Sequence, residues 1–121
     1  HTDERLRERE AAPGGNVREL FRKRWADFGW HEPGGESLRS VQERNIAALT
    51  DILTAERDKT VVVGTHGTAL STILNYYDPS YNCDSFLRII DWMPFVVELD
   101  FEGTRFLGKT EHVYVEKLFK P

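Results

Sequence analysis

One stretch decides the fold of this 121-residue chain: residues 60–70, which read TVVVGTHGTAL. Its three consecutive valines form an unbroken β-branched run, which is typical of a strand covered on both faces. A helical pattern follows at once, from Ala69 to Tyr77. Because a strand that leads into a helix N-terminus is where α/β proteins bind anions, His66 is predicted to face a bound anion.

Composition and charge narrow the class of protein. The chain is 40% apolar and 30% charged, as expected of an ordinary globular domain, and its net charge is -4. It therefore lacks the basic excess of a nucleic-acid binder, and it has no apolar run of the ~20 residues that span a bilayer. A single cysteine, Cys83, excludes an internal disulfide and fits a reducing compartment. We expect a cytoplasmic protein with no nucleic-acid or membrane partner.

The spacing of apolar residues and the positions of turn and capping residues predict the remaining elements. A short helix is expected over Val17–Trp25, and a long one begins after the N-cap candidate Ser37. The apolar stripe of the long helix consists of Leu38, Val41, Ile46, Leu49, Ile52 and Leu53. The pattern further predicts a strand at Thr60–Gly64, a helix at Asp84–Ile90, a hairpin of Phe95–Phe101 with Thr104–Gly108, and a short strand at Val113–Val115.

This order of elements predicts a three-layer α/β domain with a mixed sheet. Only Val61–Val63, however, has the pattern of a central parallel strand, and such a strand needs a parallel neighbour. The charges elsewhere favour solvated surfaces: residues 1–10 by themselves indicate a solvated end, and Arg22 to Arg24 a solvated helix face.

Three motifs in order resemble those of the histidine phosphatase superfamily, also called the phosphoglycerate mutase-like family. They are Leu6-Arg7-Glu8-Arg9, Gly34-Gly35-Glu36-Ser37 before the long helix, and Val61 to Gly67, where Thr65 replaces the usual serine. The segment after Glu8 departs from the pattern, because Glu10-Ala11-Ala12 stands where the family has an aromatic residue and a glycine. The resemblance implies a three-layer αβα fold and a single partial domain over residues 1–121.

The resemblance also implies a segment that this sequence does not contain. The family's opening strand ends in an Arg-His-Gly motif whose histidine becomes phosphorylated, and no Arg-His pair occurs here. That strand would lie beside Val61–Val63, which accounts for the missing neighbour. We therefore expect a preceding segment to carry the nucleophile, and the chain to be inactive without it.

The resemblance assigns roles to particular residues. His66 would stabilise the transferring phosphoryl group, and Glu8 would be the general acid that protonates the leaving oxygen. Neither a metal nor an organic cofactor is implied. The residues expected to contact the phosphate or the rest of the substrate are Gly67, Thr68, Arg7 and Glu36, although a helix start is a sufficient structural reason for the last of these.

The implied function is phosphoryl transfer from a small phosphorylated substrate through a phosphohistidine, with hydrolysis favoured over mutase action. A phosphate-binding or scaffolding module of the same fold is the alternative. A third hypothesis is a different phosphate-binding fold, which predicts no contact between Leu6–Glu8 and the His66 loop. The unpaired side of Val61–Val63 also invites pairing with another chain, so a homo-oligomer is a further expectation.

Overall fold

The computed structural model describes residues 2–12, 18–90 and 92–116, and within them it has a mixed α/β architecture. A 3₁₀-helix at Glu4–Leu6 opens the chain. The further elements are α1 (Arg18–Ala26), α2 (Leu38–Ala55), α3 (Gly67–Tyr77), α4 (Cys83–Ile89), β1 (Trp92–Glu102) and β2 (Arg105–Glu116). The predicted start of the first helix, Val17, lies outside the described residues.

Helix α2 begins where the sequence predicts, because Ser37 is its N-cap. The Ser37 hydroxyl accepts a hydrogen bond from the Ser40 amide at 3.1 Å, which satisfies one of the free amides of the first turn. The apolar stripe is confirmed on the face that meets α3. Its buried members are Leu38, Val41 and Leu49, joined by Ala48, while Ala69 and Ile73 are buried on α3.

The two shorter helices that follow start slightly earlier than predicted. Helix α3 begins at Gly67 with His66 as its N-cap, two residues before the predicted start. Helix α4 begins at Cys83, after a capping box formed by Asn82 and Ser85. Burial raises the pKa of the Cys83 thiol. A raised pKa is typical of a structural cysteine and not of an activated thiol.

The predicted hairpin is present and is longer than the sequence pattern indicates. Strands β1 and β2 pair antiparallel from Trp92 opposite Glu116 to Glu102 opposite Arg105, and Gly103 takes the positive φ of +61° in the turn. The strand predicted at Val113–Val115 is confirmed, although these residues continue β2 and do not form a further strand. The pairing register shifts at three places along the ladder, between Trp92 and Phe95, Val96 and Val97, and Asp100 and Phe101.

Aromatic residues from several elements form the main core cluster. Leu74, Tyr81 and Phe86 are buried at its centre. The rings of Trp25 and Phe86 stack with centroids 5.8 Å apart, which fixes α1 against α4. Side chains from α1, α3, α4 and β1 complete the cluster: Phe21, Trp25, Leu70, Leu87, Ile90, Val97 and Leu99.

The strand predicted at Thr60–Gly64 is wrong for the described residues. This segment carries no strand assignment, and Val61 and Val62 are 43% and 93% exposed rather than covered. The physical reason is that a strand exists only by pairing. Within the described ranges β1 and β2 pair with each other, and neither pairs with residues 60–64.

A cavity of about 760 Å³ lies beside this unpaired segment. Its walls come from α2, α3, β1 and the segment itself, and the apolar lining includes Leu49, Ile52, Val61, Val63, Ile73 and Leu99. Leu6 and Thr65 border the same space. Among the described residues, no helix has the length and apolar character required to cross a membrane.

Candidate functional site

The carboxylate of Glu8 lies at the N-terminus of α3. Its Oε2 accepts a hydrogen bond from the Thr68 amide at 3.1 Å, and its Oε1 accepts one from the Ala69 amide at 2.9 Å. The Arg9 amide donates to the same Oε1 at 3.0 Å. The Thr68 and Ala69 amides belong to the first turn of α3, where N–H groups have no intrahelical acceptor and the dipole favours an anion. The chain therefore contains an anion site that its own glutamate fills.

His66 is the residue directly before this helix. Its imidazole makes no capping hydrogen bond and the residue is exposed, while its carbonyl accepts the Leu70 amide at 2.8 Å. A Cβ built on Gly67 would meet nothing within 4 Å, so the space at the start of α3 is open. The imidazole is therefore accessible to a small anionic molecule, while the Thr68 and Ala69 amides are occupied by Glu8.

A threonine ties the His66 loop to the segment that carries Glu8. The Thr65 hydroxyl donates to the Leu6 carbonyl at 3.1 Å, and both residues border the cavity beside the valines. Three hydrogen bonds thus join residues 6–8 to residues 65–69. The hypothesis of a different fold predicted no contact here, so that hypothesis is wrong.

Glu36 faces an arginine of the helix that it precedes. Arg44 donates to both of its carboxylate oxygens at 2.9 Å, from Nε and Nη2, and Ser40 Oγ donates at 3.0 Å. Burial alone would raise the pKa of Glu36, but the hydrogen bonds, chiefly from Arg44, outweigh burial and lower it to about 2. Its phosphate-binding role stays a prediction, because its oxygens are engaged with the protein.

Arg7 is exposed and points its guanidinium at the main chain, where Nη1 donates to the Glu4 carbonyl at 3.1 Å. No hydrogen bond to Glu8 is found for it within the described residues. Its predicted substrate contact therefore stays a prediction.

The charged N-terminal segment is not a solvated end. Arg9 has a side chain that is only 3% exposed, and it donates to Glu32 Oε1 at 2.7 Å and to the Glu36 carbonyl at 2.6 Å. Arg24, predicted on a solvated face, is equally buried and donates to both oxygens of Glu32. The prediction of solvation is wrong for Arg9 and Arg24, because Glu32 supplies a buried carboxylate to which both guanidinium groups donate. Arg22 and Lys23 are exposed, as predicted.

The second glycine of the Gly34-Gly35 pair makes room for this buried cluster. A Cβ on Gly35 would lie 2.2 Å from Glu32 Oε1 and 2.4 Å from its Cδ, distances at which no side chain fits. Gly34, in contrast, takes a positive φ of +82°. The pair therefore has two different physical roles, a turn and a close approach.

The lowered pKa values of Glu32 and Glu36 predict that the protein loses stability in acid. Burial would raise the pKa of Glu32, but hydrogen bonds from Arg9 and Arg24 lower it to about 2, as for Glu36. The unfolded-state value is 4.5, so the unfolded chain binds protons first and stability falls as the pH drops from 4.5 through 2. Urea midpoints measured across this range should decline.

The matched variants for that measurement are Glu36→Gln and Glu43→Gln, the second at an exposed position of α2. We expect the urea midpoint of Glu36→Gln to fall less steeply with decreasing pH, because one titrating group has been removed. The midpoint of Glu43→Gln should fall as steeply as that of the wild type. Equal slopes in all three proteins would contradict the assignment.

The aromatic residues of the loop before α2 fold back onto α1. The rings of Trp25 and Phe28 meet edge to face at 5.3 Å, and Lys23 Nζ lies 4.4 Å from the Trp30 ring centroid. Within the described ranges, no three His, Cys, Asp or Glu side chains are grouped so that they could hold a metal ion.

Sequence reasoning missed two residues that build this site, Arg44 and Thr65. Arg44 stands eight positions after Glu36, with Ser40 midway, and a spacing of four repeats along one side of a helix. That spacing is the signal that could have identified it. For Thr65 the only signal was its place beside His66.

A comparison with families of known proteins agrees with these observations. The family model of the histidine phosphatase superfamily (branch 1) matches residues 1–105, which include the Glu8 segment, Glu36 and the His66 loop. No curated protein and no solved structure matches the chain.

Proposed function

The chain belongs to the histidine phosphatase superfamily, and from that premise we propose that the complete protein is a phosphatase that acts through a phosphohistidine. One observation carries the proposal: the carboxylate of Glu8 and the imidazole of His66 belong to the same open end of α3, where two amides already bind an anion. Its substrate is a small phosphorylated molecule, and its chemistry uses neither metal nor organic cofactor.

The phosphoryl group takes the position at the helix end that Glu8 occupies in the free chain. The Thr68 and Ala69 amides then bind phosphoryl oxygens, and His66 adds a hydrogen bond to the same group. Open space in front of Gly67 admits the group. Displaced from the amides, the carboxyl group of Glu8 turns to the oxygen that links phosphorus to the leaving alcohol.

The reaction then proceeds in two balanced steps. In the first, a nitrogen of the nucleophilic histidine bonds to phosphorus, the bond from phosphorus to the leaving oxygen breaks, and Glu8 gives that oxygen its proton. In the second, water attacks phosphorus, the P–N bond breaks, and Glu8 takes the proton from water. We favour hydrolysis over mutase action because the motifs resemble those of the small phosphatase-like branch of the superfamily.

The nucleophile lies on a segment that seats beside Val61–Val63. Support comes from the exposure of Val62, which is 93%, and from the cavity of about 760 Å³ along the same residues. A strand placed there would give the valines a ladder partner and cover their apolar side chains. The result would be a central sheet between helical layers, the three-layer αβα fold, in a cytoplasmic protein.

The test compares the 121-residue chain with a longer protein that includes the residues encoded upstream of His1. We expect the longer protein to release phosphate from p-nitrophenyl phosphate, and its His66→Ala variant to lose about 10²- to 10³-fold in kcat, the usual cost of one transition-state donor. The 121-residue chain alone should release none.

Two results would overturn the proposal. Turnover by the 121-residue chain above that of its own His66→Ala variant would place the nucleophile within these residues. A longer protein that binds inorganic phosphate without any turnover would instead favour the binding module of the same fold.

A further inference from the structure

Arg44 contacts the segment that carries Glu8 through its main chain. Nη1 donates to the carbonyls of Arg5 at 2.8 Å and Arg7 at 2.6 Å, and Nη2 donates to the carbonyl of Glu8 at 3.0 Å. The other edge of the same guanidinium holds the two oxygens of Glu36. One side chain, 12% exposed, thus makes five hydrogen bonds.

The remaining carbonyl of that stretch is also held. Leu6 O accepts from the Thr65 hydroxyl, so four consecutive carbonyls, from residue 5 to residue 8, are bound by two side chains. The segment has one 3₁₀ turn and belongs to neither strand of the described sheet. Its position therefore depends on these contacts more than on any ladder of its own.

The position of the main chain at Glu8 determines where its carboxylate can reach. The Thr68 and Ala69 amides are fixed by α3, whereas the Glu8 segment is held by Arg44 of α2, by the Arg5–Asp51 ion pair and by the buried Arg9. Of these groups, Arg44 is the one that binds the carbonyl of Glu8 itself, so it connects α2 directly to the residue whose carboxylate reaches the end of α3.

We propose that Arg44 is a positioning residue, which holds the main chain of residues 5–8 so that the Glu8 carboxylate lies at the open end of α3 beside His66. The proposal rests on the proposed function for the role of Glu8, but its geometric content stands on the contacts above. Arg44 itself touches neither the α3 amides nor, in the proposed mechanism, the substrate.

The contacts of Arg44 require its planar guanidinium group, and a positive charge alone does not suffice. A lysine keeps the positive charge but presents three donors from one nitrogen, so it cannot bind a carboxylate in bidentate fashion and reach three carbonyls as well. Arg44→Lys therefore separates geometry from charge. Arg39→Lys is the matched control, because Arg39 is an exposed arginine on the same helix.

Amide hydrogen exchange in the 121-residue chain provides the first readout. We expect the Thr68 and Ala69 amides to lose about tenfold or more of their protection in Arg44→Lys and in the reference variant Glu8→Ala. The amides in the middle of α2 and α3 should keep theirs, as should all amides in Arg39→Lys. If Arg44→Lys fails to fold, Glu36→Gln weakens the same guanidinium from its other edge and should reduce protection at the same two amides.

Kinetics of the longer protein provide the second readout. We expect Arg44→Lys to lower kcat about tenfold with KM within twofold of wild type, since a small misplacement of a catalytic group is costly while binding is kept. Unchanged protection at Thr68 and Ala69 in both Arg44→Lys and Glu36→Gln would overturn the positioning role. Wild-type kcat in Glu8→Gln would overturn the proposed function instead, so the two failures are distinct.

Discussion

Glu8→Gln is expected to lower the kcat of the longer protein by about 10²- to 10⁴-fold on an alkyl phosphate, the usual contribution of a positioned general acid. Glutamine has nearly the same shape and keeps an oxygen that the Thr68 or Ala69 amide can bond, so the helix end stays covered. Its amide group has no acidic proton that it could give to the leaving oxygen. The loss should therefore appear in kcat and leave KM close to that of wild type.

The choice of substrate sharpens this experiment. The p-nitrophenolate ion leaves readily without a proton, whereas an alkoxide does not, so the loss should be much smaller on p-nitrophenyl phosphate than on an alkyl phosphate. Glu10→Gln, an exposed neighbour on the same segment, serves as the control and should behave as wild type. An equal loss on both substrates would assign Glu8 a role other than acid.

Glu32→Gln is expected to destabilise the fold by about 3–5 kcal/mol, which is the usual cost of removing one partner from a buried ion pair. Arg9 and Arg24 have side chains that are each 3% exposed, and both donate to this carboxylate. A neutral amide leaves two buried positive charges without their shared counterion. Since the free energy of unfolding of a domain is about 5–15 kcal/mol, this one side chain accounts for a large share of the stability.

The measurement is urea unfolding followed by circular dichroism, with Glu19→Gln on the exposed face of α1 as the control. Gly35→Ala should lower the midpoint too, because its Cβ would overlap the carboxylate of Glu32. A double-mutant cycle separates the effects: in a Glu32→Ala background the overlap disappears, so Gly35→Ala should cost less there. If the losses of stability from Gly35→Ala and Glu32→Ala are additive, the close approach of Gly35 to the Glu32 side chain is contradicted.

The sequence predicted best the elements whose signals are local. Helix α2 is specified by its own residues, since Ser37 caps it and the apolar stripe repeats at helical spacing. Helix α3 was found in the same way, although its start was placed two residues late because His66 and Gly67 are poor local markers of a helix start.

Predictions failed where the deciding partner is distant in sequence. The valine run at residues 61–63 has every local property of a strand, but a strand forms only with a neighbour, and no described strand pairs with it. Arg9 and Arg24 were assigned to solvent because charge patterning carries no information about Glu32, which lies 23 and 8 positions away.

The candidate site was predictable only in part. His66 could be predicted because it stands between the apolar run and the helical pattern. Glu8 is one glutamate in a charged run and was identified by the resemblance alone. What joins the two, the first-turn amides of α3 and the guanidinium of Arg44, depends on three-dimensional packing between α2, α3 and the N-terminal segment.

The hydrogen bonds to the main chain of residues 5–8 have a consequence for how freely the sequence of this segment can change. Arg44 and Thr65 bind carbonyl oxygens, which every amino acid possesses, so most substitutions along that stretch leave the hold intact. The flanking side chains can therefore be exchanged while the Glu8 main chain keeps its position.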